Sequence, residues 1–414
     1  MMRIYISGGT LMKNLKRLCI LTISSTVLTC STFSKSQWSD SWECQVYPPE
    51  HEIIQDTETG ARIIFVTTDS SRDTNLYFDL NCWFADLSMM AFYSDRTGRN
   101  ELFGYLAKTG EIVRLQPAQQ FVAGNETVDY QTHDIYIVRD NTVYQWHVDI
   151  EWSTDANISS KVKVKERKLT SAPEGTSFFM GLTESADGKY LSAGLNYHNT
   201  DRQDIIAIDI QSEEIKTLLT RQKGISHVQF NKYNPNLLRF SHSPHRMWYI
   251  DIRKPGVTHQ LHPQEPGELV THEDWWVNDQ MTFCGGYRNE ESHVKIVNIH
   301  TQVTRVIGAG SWWPECTPFE LSKYNWWHAS GSRDGRWVAA DNWHGHIAII
   351  DARTSHLRLL TVGHRPYGDV RTEHPHVGWA PDSRSVEFTS HKRGNPDVCI
   401  AYLPAAWNDP FVKD

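Results

Sequence analysis

The feature that most limits what this chain can become is a repeat. A short apolar strand, a polar turn carrying Asp and often Gly, a second alternating strand, a loop and a third strand ending in an Asp-x-x-[Ser/Thr] turn recur along it. The first clear copy runs through Trp83-Phe84-Ala85-Asp86, Met90 to Arg96, Leu102 to Leu106 and Lys108-Thr109-Gly110-Glu111. It returns in degraded form over Thr132 to Trp146, and more clearly as Ser185-Ala186-Asp187-Gly188 followed by Ile205 to Ile210. Further copies start near Val228-Gln229-Phe230, Glu273-Asp274-Trp275-Trp276, Ser332-Arg333-Asp334-Gly335 and Trp379-Ala380-Pro381-Asp382. Period-two alternation between turn signals makes each unit a small antiparallel meander. Seven such units of roughly 45–55 residues have the period of four-stranded propeller blades. The predicted fold is therefore all-β, a seven-bladed β-propeller. A β-sandwich with long loops is the competing architecture, and the recurrence of one turn chemistry disfavours it. A strand around Arg62 to Thr67 is expected to complete the last blade and close the ring, which would remove exposed sheet edges.

No Gly/Ser-rich linker or Pro-rich tract interrupts the repeats, so residues 37–414 read as a single domain. Residues 1–36 read as a signal peptide: Lys13, Lys16 and Arg17 precede an apolar run from Leu18 to Leu28, and the start is expected at Met12. That run is short for a bilayer span, so a periplasmic or secreted location without stable membrane insertion is expected, with lipidation at Cys30 as a variant. Beyond the leader, Cys44, Cys82, Cys284, Cys316 and Cys399 form no Cys-x-x-Cys pair, which excludes a zinc knuckle and leaves any disulfide pairing open. The net charge of −8 argues against nucleic acid as the main partner; an anionic ligand would have to be met by a local basic pocket. No obligate protein partner is expected. Trp312, Trp313, Trp326 and Trp327 form an aromatic insertion whose rings suit either sugar faces or a plug between blades.

Histidines gather at the starts of blades, where inner strands line a propeller's central channel. His272 precedes Glu273-Asp274-Trp275, His328 precedes Ala329-Ser330, and His374-Pro375-His376 precedes Val377-Gly378-Trp379. Equivalent positions on successive blades point to one axis, and His374 and His376, two apart on an extended segment, face the same way. Three imidazoles converging on an open pocket suit a first-row divalent metal such as Mn²⁺, Zn²⁺ or Fe²⁺. Arg246, in His245-Arg246-Met247-Trp248 on the preceding blade, offers a planar fork matched to a carboxylate.

These residues, in this order, resemble the oligogalacturonate lyase family. The likeness runs from Gln55-Asp56-Thr57-Glu58-Thr59-Gly60-Ala61 to the C-terminal blade. It is best at Arg246-Met247-Trp248, Thr271-His272-Glu273-x-Trp275, His328 with Asp334-Gly335, and His374-Pro375-His376 with Pro381-Asp382. The resemblance implies that Arg246 and His272 act on the substrate, the histidine as Brønsted base. It also implies that His328, His374 and His376 hold a metal, Mn²⁺ first, that binds a uronate carboxylate. The family carries a glutamine three residues before the first histidine of the pair, where this chain has Arg371. An arginine cannot ligate a metal, so a water replaces that ligand, the arginine joins in carboxylate binding, or the metal is absent. Arg371, His245 and Trp275 are the expected substrate contacts. The partner implied is an acidic oligosaccharide, oligogalacturonate or a related uronate polymer such as ulvan or rhamnogalacturonan fragments.

The reaction implied is β-elimination, giving a 4,5-unsaturated uronate end. A glycosidase would use two carboxylates at a set separation, and none can be assigned. A non-catalytic, TolB-like binding propeller is the alternative; Ser94-Asp95-Arg96-x-Gly98 is generic to that group. A propeller-bearing serine peptidase is disfavoured by the absence of a Gly-x-Ser-x-Gly elbow.

Overall fold

The computed structural model describes residues 38, 41–117, 124, 126–155, 157–287, 290–311, 324–365 and 375–408. The leader with Cys30, and Trp312, Trp313, Cys316, Arg371 and His374, lie outside the described residues. Residues 36–414 form one compact unit.

Seven antiparallel sheets make a β-propeller. Their innermost strands are Asp73–Asn75, Thr127–Val128, Thr176–Glu184, Ser226–Phe230, Glu268–Trp276, Trp326–Gly331 and Gly378–Trp379, which open blades 1 to 7 in that order. Each blade takes up one copy of the repeat. Blades 3 to 6 have four strands in plain chain order, as local meanders require.

Blades 1, 2 and 7 have five strands because the segment from Trp42 to Phe65 is shared among them. Trp42–Glu43 edges blade 2, Gln45–Tyr47 edges blade 1, and Glu52–Gln55 with Arg62–Phe65 forms the outer half of blade 7. In blade 7 Cys399 pairs with Phe65 and Ala401 with Ile63, so the chain's two ends hydrogen-bond into one sheet. That closure is the one expected from the Arg62 strand, and it leaves the ring without a first or last blade to slip.

The turn between the first two strands of a blade is built the same way wherever Ser-x-Asp-Gly occurs. Ser185 Oγ donates to Asp187 at 2.9 Å and Gly188 N to Ser185 O at 2.9 Å. Ser332 Oγ donates to Asp334 at 2.6 Å and Gly335 N to Ser332 O at 3.1 Å. Gly335 sits at φ +74°, and a Cβ there would meet Val277 at 2.8 Å, so both backbone and neighbour demand glycine. Tryptophans bolt adjacent blades: Trp275 Nε1 donates to Gln229 O, Trp276 Nε1 to Ser332 O and Trp379 Nε1 to Ser330 O. Cys44, Cys82, Cys284 and Cys399 are buried free thiols, so the described cysteines form no disulfide.

Candidate functional site

The inner strands of blades 3 to 6 each slip register, between Phe179 and Thr183, Ser226 and Gln229, Thr271 and Asp274, and Trp326 and His328. An extra residue in one strand bends it and redirects a side chain. In three of these slips the redirected residue has positive φ: Met180 at 68°, His227 at 49° and His272 at 52°. His376, just before the inner strand of blade 7, has φ 53°. Such backbone costs on the order of 1 kcal/mol per non-glycine residue and persists where the surroundings enforce it. Here the slips and this backbone together bring histidines from four successive blades to one end of the channel.

The ring centres of His272 and His328 lie 4.1 Å apart, those of His328 and His376 4.7 Å, and those of His227 and His272 6.2 Å. Tyr77, which follows the inner strand of blade 1, is inserted among them, 5.0 Å from His376, 5.7 Å from His328, 6.2 Å from His227 and 6.5 Å from His272. Phe78 closes the floor beneath His272 and His328 at 5.8 and 4.8 Å. Burial, and then Asp79, pushes the Tyr77 hydroxyl well above its ordinary range, so it stays protonated. A cavity of about 400 Å³ beside Tyr77 is lined by His227, Met180, Gly181 and Gly124.

Asp341 organises the blade 6–7 side. Fully buried, it accepts from His328 Nδ1 at 2.9 Å and from Val377 N, the neighbour of His376, at 3.0 Å. A carboxylate accepts only, so His328 carries its proton on Nδ1 and its lone pair on Nε2. The His376 carbonyl accepts from Asn75 Nδ2 at 2.8 Å, tying that histidine to blade 1.

On the blade 4–5 side the organiser is Glu273. Arg246 Nε donates to it at 2.6 Å, and Arg239 stands 3.6 Å from its other oxygen. Burial alone would raise this carboxyl, but the charges of Arg246 and Arg239 outweigh it and hold Glu273 ionised below its usual range. Arg239 is itself 2% exposed, donating to Asp79 and Gln229 at 2.7 Å and to the His227 carbonyl at 3.2 Å. Burial, opposed by Arg239, pushes Asp79 up to about 6. Burial, reinforced by Arg239, pushes His227 down to about 4, so that imidazole is neutral near pH 7. Arg246 is 27% exposed and borders a cavity of about 270 Å³ with Ser241, His242 and Gln264. Its two terminal nitrogens have no hydrogen-bond acceptor among the described residues.

Of the residues singled out in the sequence, His272, His328 and His376 meet in this cluster, and Arg246 stands on its flank. His245 packs beside Trp248, with ring centres 6.5 Å apart, instead of against the histidines. Trp275, expected against the sugar, is wholly buried between blades 4 and 5, where its indole serves packing. Arg371 and His374 lie outside the described residues, and among those described no group of three or more His, Cys, Asp or Glu is placed to hold a metal. Sequence reasoning missed Tyr77, His227, Arg239 and Asp341. His227 was findable, because it precedes Val228-Gln229-Phe230 as His272 precedes its own blade turn. Arg239 and Asp341 sit mid-strand, where nothing in the pattern distinguishes them from surface charges.

No family model matches the chain. It is 20% identical to an oligogalacturonide lyase of Pectobacterium atrosepticum over 402 residues, 87% of this chain and 98% of that protein. It is 23% identical to an oligogalacturonate lyase of Dickeya dadantii over 232 residues, 48% of this chain and 55% of that one. Among solved structures it resembles an oligogalacturonate lyase from Vibrio parahaemolyticus, with TM-score 0.71 and 16% identity, covering 88% of this chain and all of that one. It also resembles an oligogalacturonate lyase in complex with manganese, with TM-score 0.72 and 16% identity over 88% of this chain and 99% of the other. The chain thus has the seven-bladed propeller of the oligogalacturonate lyases and resembles those proteins along most of its length.

Proposed function

We propose that the protein is a lyase that cleaves a uronate-containing oligosaccharide, oligogalacturonate first, by β-elimination. The observation that carries the reading is one end of the channel holding His272 among three further imidazoles, with Arg246 beside them and its terminal nitrogens meeting no acceptor among the described residues. The names of the similar proteins support it, as lyases of oligogalacturonate.

The chemistry asks for a base at C5 and positive charge at the neighbouring carboxylate. His272 Nδ1 lies 2.8 Å from Thr271 Oγ1. With Nδ1 donating to that hydroxyl, Nε2 has the lone pair that takes the C5 proton. The electron pair of that C–H bond becomes the C4=C5 double bond, and the C4–O bond breaks with its electrons on oxygen, which is protonated as it departs. Charge builds on the carboxylate meanwhile, and Arg246, held by Glu273, presents a guanidinium edge to receive it. Pre-positioning by a buried partner means little reorganisation is needed when the charge appears.

His328, with Nδ1 tied to Asp341 in the manner of metal-bound histidines, has donor chemistry that fits a divalent cation. His328 and His376, together with His374, would hold it, and when bound it would add positive charge at the uronate carboxylate. Manganese is the first candidate, since a structurally similar lyase is in complex with it.

The experiment is absorbance in the ultraviolet band of a 4,5-unsaturated uronate while the purified protein meets digalacturonate and a panel of other uronate oligomers, with and without chelator and added Mn²⁺. A rise with digalacturonate supports the reading, and its loss with chelator supports the cation. A rise only with another uronate keeps the mechanism and changes the substrate. Silence across the panel rejects the lyase in favour of a binding propeller.

A further inference from the structure

A segment of blade 1 divides the central channel. Asn75 pairs with Phe92 and Trp83 with Met90, so residues 76–82 loop out of the inner strand opposite Ala91. Backbone that leaves its sheet must find partners elsewhere, and this segment finds them on facing blades. Gln229 Nε2 of blade 4 donates to Asp79 O at 2.8 Å, and Asn81 Nδ2 donates to Val128 O of blade 2 at 2.8 Å. Tyr77 and Phe78 lie against the histidines. Phe78 and Leu80 also wall a second cavity, of about 270 Å³, and Leu80 borders both it and the cavity beside Tyr77.

This second chamber lies toward the other end of the inner strands. His227 is within Ser226–Phe230 and His328 within Trp326–Gly331, whereas Lys232 and Tyr233 come after Phe230 and Arg333 after Gly331. Its charge is concentrated on one group. Lys232 Nζ is 2.9 Å from each oxygen of Asp274, a fully buried carboxylate that also accepts from Gln229 Nε2 at 2.8 Å and Ser330 Oγ at 3.1 Å. Glu184, which accepts from Tyr130 N at 3.0 Å, is pushed up to about 10 by burial and then by Asp129, so it stays protonated. Asp334 is exposed and engaged in its own turn by Ser332 Oγ and Arg336 N. Arg333 remains. It is half-buried, with Cζ over the Tyr130 ring at 5.5 Å, and it meets no hydrogen-bond acceptor among the described residues. A guanidinium placed over a ring keeps its N–H edge for another partner. The Tyr130 and Tyr233 hydroxyls likewise have no hydrogen-bond partner among the described residues, and burial keeps both protonated.

We propose that this chamber is a second binding site, separate from the histidine cluster, for a small sugar acid, with its carboxylate on Arg333, its hydroxyls on Tyr130 and Tyr233, and Phe78, Leu80 and Trp379 as the apolar wall. The planar fork of an arginine takes a carboxylate through two parallel bonds. The volume lies just below that of pockets for drug-sized ligands, which suits a single ring. No imidazole lines the chamber and its one amine is held by Asp274, so it offers binding without proton abstraction. A non-catalytic propeller would carry the same chamber, which makes the site independent of the lyase chemistry.

The test is isothermal titration calorimetry of the full chain with galacturonate, on the wild type, Arg333→Gln, Tyr233→Phe and Arg246→Gln, with circular dichroism to check folding. The isotherm should contain a component that Arg333→Gln weakens about ten- to a hundred-fold, as expected for a charge-assisted bond, and Tyr233→Phe about five-fold. Arg246→Gln should leave that component unchanged, and galactose, which lacks the carboxylate, should not produce it. No galacturonate binding, or binding weakened by Arg246→Gln and not by Arg333→Gln, overturns the second site. Inorganic phosphate bound as tightly as galacturonate, with the same loss in Arg333→Gln, overturns the sugar-acid assignment in favour of a general oxyanion site. Calorimetry needs no turnover, so failure of the lyase reading would leave this result standing, and failure here would leave the lyase.

Discussion

In blade 3 the inner strand slips between Phe179 and Thr183 and gives Met180 a φ of 68°; in blade 5 it slips between Thr271 and Asp274 and gives His272 a φ of 52°. The backbone device is the same, and so is its position at the channel mouth. Blade 3 spends it on an apolar side chain that lines the cavity beside Tyr77, and blade 5 on an imidazole in the histidine cluster. Blade 4 stands between them, with His227 at φ 49° on its own slip. The repeat therefore supplies the aim, blade after blade, and single residues supply the chemistry. It follows that reactivity should be concentrated at one of these equivalent positions instead of spread over them.

The largest effect expected from breaking that comparison is at His272. Replacing it with Ala should lower kcat/KM for the uronate substrate by about 10²–10⁴, the range associated with a positioned general base. His227→Ala should cost less, since its ring centre stands 6.2 Å from that of His272, the proposed base. Both are read by unsaturated-product absorbance, with circular dichroism to check folding. Turnover surviving in His272→Ala but lost in His227→Ala would move the base to blade 4.

The propeller itself was legible because the same turn recurs. Ser185-Ala186-Asp187-Gly188 and Ser332-Arg333-Asp334-Gly335 announce the ends of inner strands, and a histidine just before a blade start announces the mouth. What the pattern could not show was which side chain a register slip redirects. Trp275 was expected at the sugar because it neighbours His272, yet beyond the slip it alternates into the interface with blade 4. Trp327, by contrast, is left half-buried beside His272 by a slip invisible in the sequence. Arg239 and Asp341 escaped notice because a buried charge has no sequence signature; only its partners reveal it. The N-terminal segment was expected to complete blade 7, but its service to blades 1 and 2 as well rests on short edge strands, Trp42–Glu43 and Gln45–Tyr47, with too few residues to read.

The second comparison sets Arg239 against Arg246, two arginines that share Glu273. Arg246 is partly exposed and has one carboxylate partner among the described residues, whereas Arg239 is buried and links Asp79, Gln229, Glu273 and the His227 carbonyl. On the proposed reading Arg246 serves a ligand, while Arg239 serves the fold. Arg239→Met would leave Asp79 buried without its cation. Removing one member of a buried ion pair costs about 3–5 kcal/mol. A urea unfolding midpoint shifted to match is the expected result, with a smaller shift for Arg246→Met. Equal shifts for the two would erase the distinction.

The smallest expected effect separates blade 4 from blade 3 by acid. Burial, with Arg239 adding to it, pushes His227 down to about 4, while an unfolded chain protonates histidine near 6.5. Between those values the unfolded state binds a proton that the folded state refuses, so stability is fully present above about 6.5 and is lost as pH falls toward 4. Arg246, Glu273 and Tyr77 also face this imidazole, and Glu273 opposes the shift without reversing it. His344 and His364, both pushed down mainly by burial, add slope of the same sign elsewhere in the ring. His227→Gln should therefore reduce the fall in thermal midpoint between pH 7 and pH 4.5 without abolishing it. Met180, on the equivalent slip of blade 3, has no proton to refuse, and Met180→Leu should leave that fall unchanged. If His227→Gln also leaves it unchanged, the blade 4 histidine takes up its proton in the folded state as readily as in the unfolded one, and the burial attributed to it by the register slip is wrong.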